Sequence, residues 1–250
     1  MRLNDKNAVV YGAAGSIGGA VARAFAREGA HVYLVGRTKK TLDVVADEII
    51  GSGGRATVAQ VDVHDRASVE AHADQVVEQS GSLDISFNAV NVNEVQDIPL
   101  VDMELTDFMT PIIEGARAHF ITATAAARRM TAQRSGAIVL LSSTAAGESR
   151  HRMGGFNIAC AGVEALTRSL AGEVGRQGVR VVCLRPNFTP ETVPGLAADD
   201  PELRPLIADT RLGRLPRLAE VAEAAVFAAS DGAGAMTGAI LNLSCGALVD

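Results

Sequence analysis

Short apolar runs alternate with helical stretches along almost the whole chain, and this alternation restricts the folds open to it. The first unit is an apolar run at residues 8–11, then a glycine-rich turn, then residues 16–28, where apolar side chains recur at helical spacing. The unit recurs with a strand at 30–35 before a helix near 40–51, and with a strand at 56–61 before a helix near 68–79. Such alternation predicts a parallel sheet, because each parallel strand is reached by a crossover connection.

Four further apolar runs complete the pattern, with two long alanine-rich helices among them. The strands are predicted at residues 83–87, 136–141, 179–184 and 239–243, and the long helices at 105–132 and 156–175. Seven buried strands with crossovers of one hand favour a sheet covered on both faces. The sequence therefore predicts an α/β fold, a doubly wound Rossmann-type three-layer sandwich with a seven-stranded, mostly parallel sheet, in one domain over residues 1–250.

Composition narrows the possible functions. The 250 residues are 48% hydrophobic and 21% charged, which excludes an intrinsically disordered chain. No apolar run approaches the roughly 20 residues that cross a bilayer, and a net charge of −6 argues against a nucleic-acid or anionic-membrane partner. The three cysteines do not form a disulfide framework, no cluster has metal-ligand spacing, and the first residues do not resemble a signal peptide. We expect a cytoplasmic protein that binds no metal.

The glycine-rich turn at Gly12, Gly15 and Gly18 follows the first predicted strand and opens the first helix. Glycines let a pyrophosphate approach the backbone, and the helix start at Ser16 and Ile17 offers unpaired N–H groups at the positive end of the helix dipole. At the first strand-to-helix turn of a doubly wound sheet, this pattern predicts a dinucleotide-binding site.

The second predicted strand leads to Arg37 and Thr38, and no carboxylate stands there. A Rossmann protein that selects NAD usually presents Asp or Glu to the ribose 2′-hydroxyl at this place, whereas a guanidinium suits a 2′-phosphate. Basic residues also oppose the dipole at a helix N-terminus, so another reason for them is needed. The sequence therefore predicts NADP(H) rather than NAD(H).

With these motifs in order, nearly the whole chain resembles the short-chain dehydrogenase/reductase family. The glycine turn is similar to the family's TGxxxGxG, although Gly15 falls one place early and Tyr11 stands in place of Thr. The resemblance implies further cofactor contacts at Asp62 and Val63 on the adenine side, at Asn88 and Ala89 in the core of the family's NNAG, and at Pro186 and Asn187 after the sixth strand.

The catalytic positions depart from the family's pattern. The family uses an Asn, a Ser and a Tyr-x-x-x-Lys, and these positions correspond here to Gly115, Ser143, Phe156 and Cys160. From residue 41 onward the chain contains no Tyr and no Lys, so no shift of alignment restores them. A phenyl ring cannot carry the carbonyl proton, and general acid–base catalysis is commonly worth roughly 10²–10⁴ in rate.

Other groups are weaker candidates for moving a proton. Ser143 can still hydrogen-bond a substrate carbonyl, and His151, flanked by Arg150 and Arg152, is either a proton source or an ordinary surface histidine. His119, one helical turn after Gly115, lies on the same helix face and either points toward the vacated Asn position or, as the resemblance implies, packs at a subunit interface, which is the favoured interpretation. Cys160 is expected to be buried packing, since no neighbouring base would activate its thiol.

Two hypotheses follow. The first is a divergent NADP(H)-dependent oxidoreductase that acts on a small carbonyl, enone or quinone-like substrate, with the proton supplied by His151, water or the substrate. The second is a catalytically silent NADP(H)-binding homologue, which acts as a cofactor sensor or an inactive partner subunit. Residues 189–215, with four prolines, are predicted to form a substrate lid, with a plain surface loop as the alternative. The resemblance implies a homo-oligomer, a tetramer or else a dimer.

Overall fold

A single parallel sheet organises the chain. The computed structural model describes residues 1–148, 151–197 and 200–249. In this part of the chain the strands are β1 (Asn7–Tyr11), β2 (His31–Gly36), β3 (Arg55–Gln60), β4 (Ile85–Asn88), β5 (Gly136–Leu141), β6 (Val179–Pro186) and β7 (Ala239–Leu243). Their order is β3-β2-β1-β4-β5-β6-β7, and every pair is parallel. The predicted fold class is confirmed.

Helices cover both faces of this sheet. They are α1 (Ser16–Arg27), α2 (Lys39–Gly51), α3 (Arg66–Ser80), α4 (Leu105–Gln133), α5 (Phe156–Val174), α6 (Arg204–Ala208) and α7 (Leu218–Ala229). The sequence did not predict α7, because its residues are almost all alanine or apolar and show no amphipathic alternation. The region expected to be least regular, residues 189–215, contains α6 and two short 3-10 turns.

The strand pleat divides the core into two layers. On β1, Ala8 and Val10 pack with α1, α2 and α7, whereas Val9 and Tyr11 pack with α3, α4 and α5. Strands buried on both faces read as continuous apolar runs, which is why the sequence pattern located them. Among the described residues, no helix is long and apolar enough to span a bilayer.

The strand order reverses between β1 and β4. From β1 the chain builds outward through β2 and β3, and then returns to add β4 to β7 on the other side. The loops after β1 and β4 therefore diverge and leave a crevice at the carboxyl edge of the sheet. Ligands of doubly wound folds bind at such a switch point.

Candidate active site

The glycine turn sits at the crevice and requires glycine at its first position. Gly12 has φ +75°, and a Cβ there would lie 2.6 Å from the carbonyl oxygen of Ala89. The Gly12 N–H donates to the Val35 carbonyl at 2.9 Å, which fixes the turn to the end of β2. The turn is thereby held between the ends of β2 and β4.

The N-terminus of α1 points into the crevice without a side-chain cap. Gly15 is the N-cap residue, and the first turn contains no acidic residue. The first N–H groups of a helix have no partner within the helix, so those of Ser16 and Ile17 are available to an anion. The Ser16 hydroxyl donates to the Thr192 carbonyl at 3.4 Å, which joins the helix start to the 189–215 segment.

The predicted 2′-phosphate residues, Arg37 and Thr38, lie two and three positions after Val35. Arg37 and Thr38 are exposed, and Thr38 is the N-cap residue of α2 without a side-chain cap bond. Gln60 on β3 donates to the Arg37 carbonyl at 2.8 Å, which anchors the backbone. Within the described chain, the Arg37 guanidinium has no ion pair, while Lys39 binds the Asp43 carboxylate at 2.8 Å.

The remaining predicted cofactor residues divide into two groups. Ala89, Pro186 and Asn187 border the large cleft described below. Asn88 does not border it, because its buried side-chain amide donates to the Thr122 hydroxyl at 2.7 Å and ties β4 to α4.

Asp62 and Val63 follow β3 and do not border the large cleft, and their predicted adenine-side contacts stay a prediction. The exposed Asp62 carboxylate accepts the His64 N–H at 3.0 Å, and Val63 is buried. Gly12 and Gly18 also lie behind the cleft wall, where a Cβ on Gly18 would come within 2.2 Å of the Gly12 carbonyl oxygen. These glycines shape the turn.

One cleft of about 990 Å³ connects the helix start with the predicted catalytic positions. Its wall includes Gly15, Ser16, Ile17, Ala89, Gly115, Ser143, His151, Phe156, Cys160, Pro186 and Asn187. The segment after β4 and the 189–215 segment also line it. The structure therefore brings the predicted phosphate-binding turn and the family's catalytic positions into one continuous space.

The N-terminus of α5 places Phe156 on the cleft wall. Gly155, just before it, packs so closely on α4 that a Cβ would lie 1.8 Å from the Phe108 carbonyl oxygen. The Ser143 hydroxyl accepts the Ala145 N–H at 3.3 Å, which leaves its own hydrogen to donate. At the position of the family's tyrosine the cleft wall thus carries the phenyl ring of Phe156, and Ser143 borders the same cleft.

Cys160 and His119 lie in the deep part of the same cleft and are not charged at neutral pH. Burial raises the pKa of the Cys160 thiol to about 12, so it is not a ready nucleophile. Burial lowers the pKa of His119 to about 4, and its Nδ1 has no partner among the described residues. His119 is 6% exposed and borders the same cleft as Gly115, in keeping with a side chain directed toward the vacated Asn position, while its interface role stays a prediction.

His151 lies where the loop after β5 meets the 189–215 segment. Its Nε2 is 3.6 Å from a carboxylate oxygen of Asp209, and its backbone N–H donates to Glu148 at 3.3 Å. Arg150, the flanking residue singled out from the sequence, lies outside the described residues. The contact with Asp209 links the loop to the segment that was predicted to be a lid.

The two tyrosines lie elsewhere. Tyr11 is fully buried on β1, and the desolvation of its phenol raises the pKa well above the ordinary value. Tyr33 hydrogen-bonds Ser80 at the α3 side of the sheet. Neither borders the cleft, so no phenol reaches the predicted catalytic positions from another part of the fold.

A buried ion pair behind the cleft was missed by sequence reasoning. Arg185 at the end of β6 donates to both carboxylate oxygens of Glu164 on α5, at 2.6 and 2.8 Å, and Ser142 donates to the same carboxylate at 3.1 Å. A carboxylate on an alanine-rich helix four residues after Cys160, together with an arginine inside an apolar strand, is the only sequence signal of this pair. The network connects β5, β6 and α5 immediately below Ser143.

No group of three or more His, Cys, Asp or Glu side chains is arranged to hold a metal ion in the described parts of the chain.

Comparisons with known proteins identify close relatives over the whole length. A family model described as enoyl-(acyl carrier protein) reductase matches residues 12–247. The chain is 36% identical to a cis-4-hydroxycyclohexanecarboxylate dehydrogenase of Sinomonas cyclohexanicum, over 97% of this chain and 96% of that protein. It is 33% identical to a D-threitol dehydrogenase of Mycolicibacterium smegmatis, over 98% and 94%. A crystal structure of a short-chain type dehydrogenase/reductase from Mycobacterium marinum superposes with a TM-score of 0.87 at 30% identity, covering 99% of this chain and 97% of that one.

Proposed function

Because the chain belongs to the short-chain dehydrogenase/reductase family, whose members bind a nicotinamide cofactor, we propose that it is an NADP(H)-dependent oxidoreductase of a small carbonyl, enone or quinone-like compound or the matching alcohol. The observation that carries this proposal is the single cleft. It runs from the uncapped start of α1 to Ser143, which supports the binding of a cofactor and a small substrate side by side in one space.

The residues present fit NADP(H). The start of α1 has no acidic residue and offers its first N–H groups to a pyrophosphate. Arg37 is exposed and free of ion pairs within the described chain, as a group awaiting a 2′-phosphate would be. When bound, the nicotinamide ring would supply the hydride acceptor or donor.

Ser143 would hydrogen-bond the substrate, and the 189–215 segment would cover it. Ser143 retains a free hydroxyl hydrogen, which can hydrogen-bond a substrate oxygen at the cleft wall. Thr192, Leu206 and Asp209 of the 189–215 segment line the same cleft, which supports its role as a lid, and the His151–Asp209 contact would hold it over the substrate. A covered cleft excludes water and strengthens these hydrogen bonds.

The relatives suggest the kind of substrate. The two dehydrogenases above are named for a cyclic hydroxy acid and for a polyol, and both compounds are small and carry secondary alcohols. In this chain the substrate end of the cleft is lined by Val90, Val92 and Met153 together with several carboxylates. We propose a small secondary alcohol or its ketone among the substrates.

The catalytically silent alternative is favoured by one observation. Phe156 and Cys160 occupy the positions of the family's proton donor and its lysine, and neither can perform that chemistry. A silent homologue would bind NADPH tightly in this cleft and show no turnover.

An acceptor panel separates the two functions. NADPH oxidation is measured with ketones, enones and quinones, and NADP⁺ reduction with cyclohexanols and four-carbon polyols, beside a fluorescence titration of NADPH. We expect binding together with turnover on at least one member of the panel. Binding without turnover on any member would reject the oxidoreductase and favour the silent homologue.

We also propose a cytoplasmic homo-oligomer, a tetramer or else a dimer. Large apolar side chains are exposed on the outer surfaces of α4 and α5, among them Ile113, Phe120 and Ile158. Exposed apolar patches of this kind are typical of subunit interfaces. Light scattering tests the assembly, and a monomer at micromolar concentration would contradict it.

A further inference from the structure

The proposed alcohol–carbonyl reaction moves one hydride and one proton, and the cleft lacks the family's proton carrier. Phe156 has no proton to give, and Cys160 holds its proton too tightly at a pKa of about 12. His119 is buried and neutral, with a pKa of about 4, so it has no imidazolium proton to transfer near neutral pH. His151 contacts the Asp209 carboxylate of the 189–215 segment at 3.6 Å, a contact assigned above to holding the lid. A further carboxyl group on the cleft wall, that of Glu94, is chemically able to carry the proton.

Glu94 is held on this wall by contacts on both sides. The preceding residue, Asn93, donates its backbone N–H and side-chain amide to the Glu114 carboxylate on α4, at 3.2 and 3.1 Å. Three residues further on, the Asp97 N–H donates to the Arg152 carbonyl at 2.8 Å. The segment that carries Glu94 is therefore fixed to α4 and to the residues that lead into α5.

This anchoring brings Glu94 to the entrance of α5. A Cβ on Gly154 would lie 3.0 Å from the carbonyl oxygen of Val95, so residues 94–97 run directly beside the backbone that precedes Phe156. Glu94, Phe156, Cys160 and Ser143 border the same cleft. Glu94 consequently borders the same space as the vacated phenol position and the serine that would hold the substrate oxygen.

The Glu94 carboxyl is partly desolvated and has no cationic partner among the described residues. It accepts hydrogen bonds there from its own backbone N–H and from the Gln96 amide, the latter a weak bond at 3.5 Å. Burial raises the pKa of the Glu94 carboxyl from its ordinary value. A carboxyl group with a raised pKa and no ion pair is suited to exchanging a proton with a substrate.

Other titratable groups also face this cleft and belong to its electrostatics. They are Asp97 on the same segment, His119 on α4, Cys160 on α5, Glu148 and His151 after β5, and Glu202 and Asp209 of the 189–215 segment. Burial is the cause that raises the pKa of the Glu94 carboxyl. Arg150 lies outside the described residues.

We propose that Glu94 is the catalytic proton-transfer residue of this cleft, in place of the family's tyrosine. This inference rests on the proposed oxidoreductase function. In alcohol oxidation, the hydroxyl proton passes to the Glu94 carboxylate as the C–H bond breaks and its hydride goes to NADP⁺, which forms the C=O bond. The carboxyl then returns the proton to solvent. In reduction, protonated Glu94 would give its proton to the carbonyl oxygen as the carbonyl carbon receives the hydride that bound NADPH would supply.

The test compares wild type with Glu94→Gln, which keeps the shape of the side chain and removes the proton. The conservative variant Glu94→Asp and the exposed Glu173→Gln on α5 serve as controls. We expect NADPH affinity and the thermal midpoint to change little, kcat to fall by about 10²-fold or more in Glu94→Gln, and Glu94→Asp to retain part of the activity. Glu173→Gln should match wild type.

The pH profile gives the second readout. Reduction requires protonated Glu94. The rate of reduction should therefore be highest below the pKa of Glu94 and fall as the pH rises through that pKa. The rate of oxidation should instead rise as the pH increases through the same pKa. Both of these pH dependences should be absent in Glu94→Gln. In the protein without cofactor, ¹³C NMR of labelled glutamate carboxyls should show one resonance, absent from Glu94→Gln, that titrates above the ordinary glutamate range.

The outcomes separate this inference from the proposed function. Wild-type turnover that survives Glu94→Gln, or a change in KM alone, would overturn the role of Glu94 and leave the oxidoreductase standing. A Glu94 resonance that titrates in the ordinary range would also count against it. NADPH binding without wild-type turnover would overturn both.

Discussion

Arg37 is the residue on which the choice of cofactor depends. It is held two positions beyond the β2 backbone that bonds the glycine turn, and it meets no acid among the described residues. A 2′-phosphate beside it would form charge-assisted hydrogen bonds, whereas a 2′-hydroxyl would gain little from a cation.

Removing the Arg37 guanidinium should therefore weaken the binding of NADPH and leave the binding of NADH unchanged. For Arg37→Ala we expect NADPH affinity to fall by about 10-fold to 100-fold, because a hydrogen bond to a charged group contributes roughly 1.5–3 kcal/mol. NADH affinity should be unchanged. Calorimetric titration measures both, with the distant, exposed Arg176→Ala as the matched control. Equal losses for the two cofactors would contradict the assignment of Arg37 to the phosphate.

Substitutions at Phe156 and Cys160 test whether a proton carrier at the family's positions can replace Glu94. In a Glu94→Gln background, the pair Phe156→Tyr and Cys160→Lys supplies a phenol and an ammonium at the family's positions. We expect kcat for ketone reduction to recover by roughly 10² or more. Phe156→Tyr alone should recover less, because without the ammonium the phenol keeps a pKa near its ordinary value of about 10. No recovery by the pair, with NADPH binding intact, would show that proton delivery at the family's tyrosine position does not limit the rate of Glu94→Gln.

At the scale of elements, the buried Glu164–Arg185 pair holds the strands that present the site. It joins α5 to the end of β6, and through Ser142 to the end of β5, directly below Ser143. Both side chains are less than one-tenth exposed. Breaking such a pair leaves an uncompensated buried charge.

The variant Arg185→Met tests this element-level role. We expect it to lower the free energy of unfolding by about 3–5 kcal/mol, as measured by urea denaturation. The control is Arg23→Met, which removes an exposed ion pair with Glu48 and should cost only about 0–1 kcal/mol. Equal effects of the two variants would show that the buried pair has no special part in the fold.

The sequence predicted elements well where a physical pattern was local. Doubly buried strands appear as apolar runs, and the glycine turn is marked by residues that tolerate positive φ and close approach, as Gly12 does. Helix α7 was missed because a helix that is apolar on most sides has no amphipathic period to detect.

Long-range features of the site could not be read from the sequence. The positions of Glu94 and of the Glu164–Arg185 pair depend on contacts between segments that are distant in the sequence, such as the Asp97–Arg152 hydrogen bond. The burial of His119 likewise depends on how α4 packs on α5. The family positions Phe156 and Cys160 were located by spacing alone, and the structure places both on the cleft wall.

At the scale of the whole molecule, the fold and the cleft agree on a single arrangement. The strand order reverses at β1 and β4, the crevice there opens into a space of about 990 Å³, and the uncapped start of α1 faces its entrance. Local basic groups after β2 counter a chain whose net charge is −6. We propose that this crevice binds a phosphorylated nicotinamide dinucleotide and directs its hydride to a small substrate.

Calorimetric titration of the wild-type protein with NADPH and with NADH, under identical salt and pH, tests the first half of that statement most directly. We expect saturable binding of NADPH with at least about tenfold higher affinity than NADH. This ratio corresponds to a difference in binding free energy of about 1.4 kcal/mol or more. No heat with NADPH, or equal affinity for the two cofactors, would contradict it.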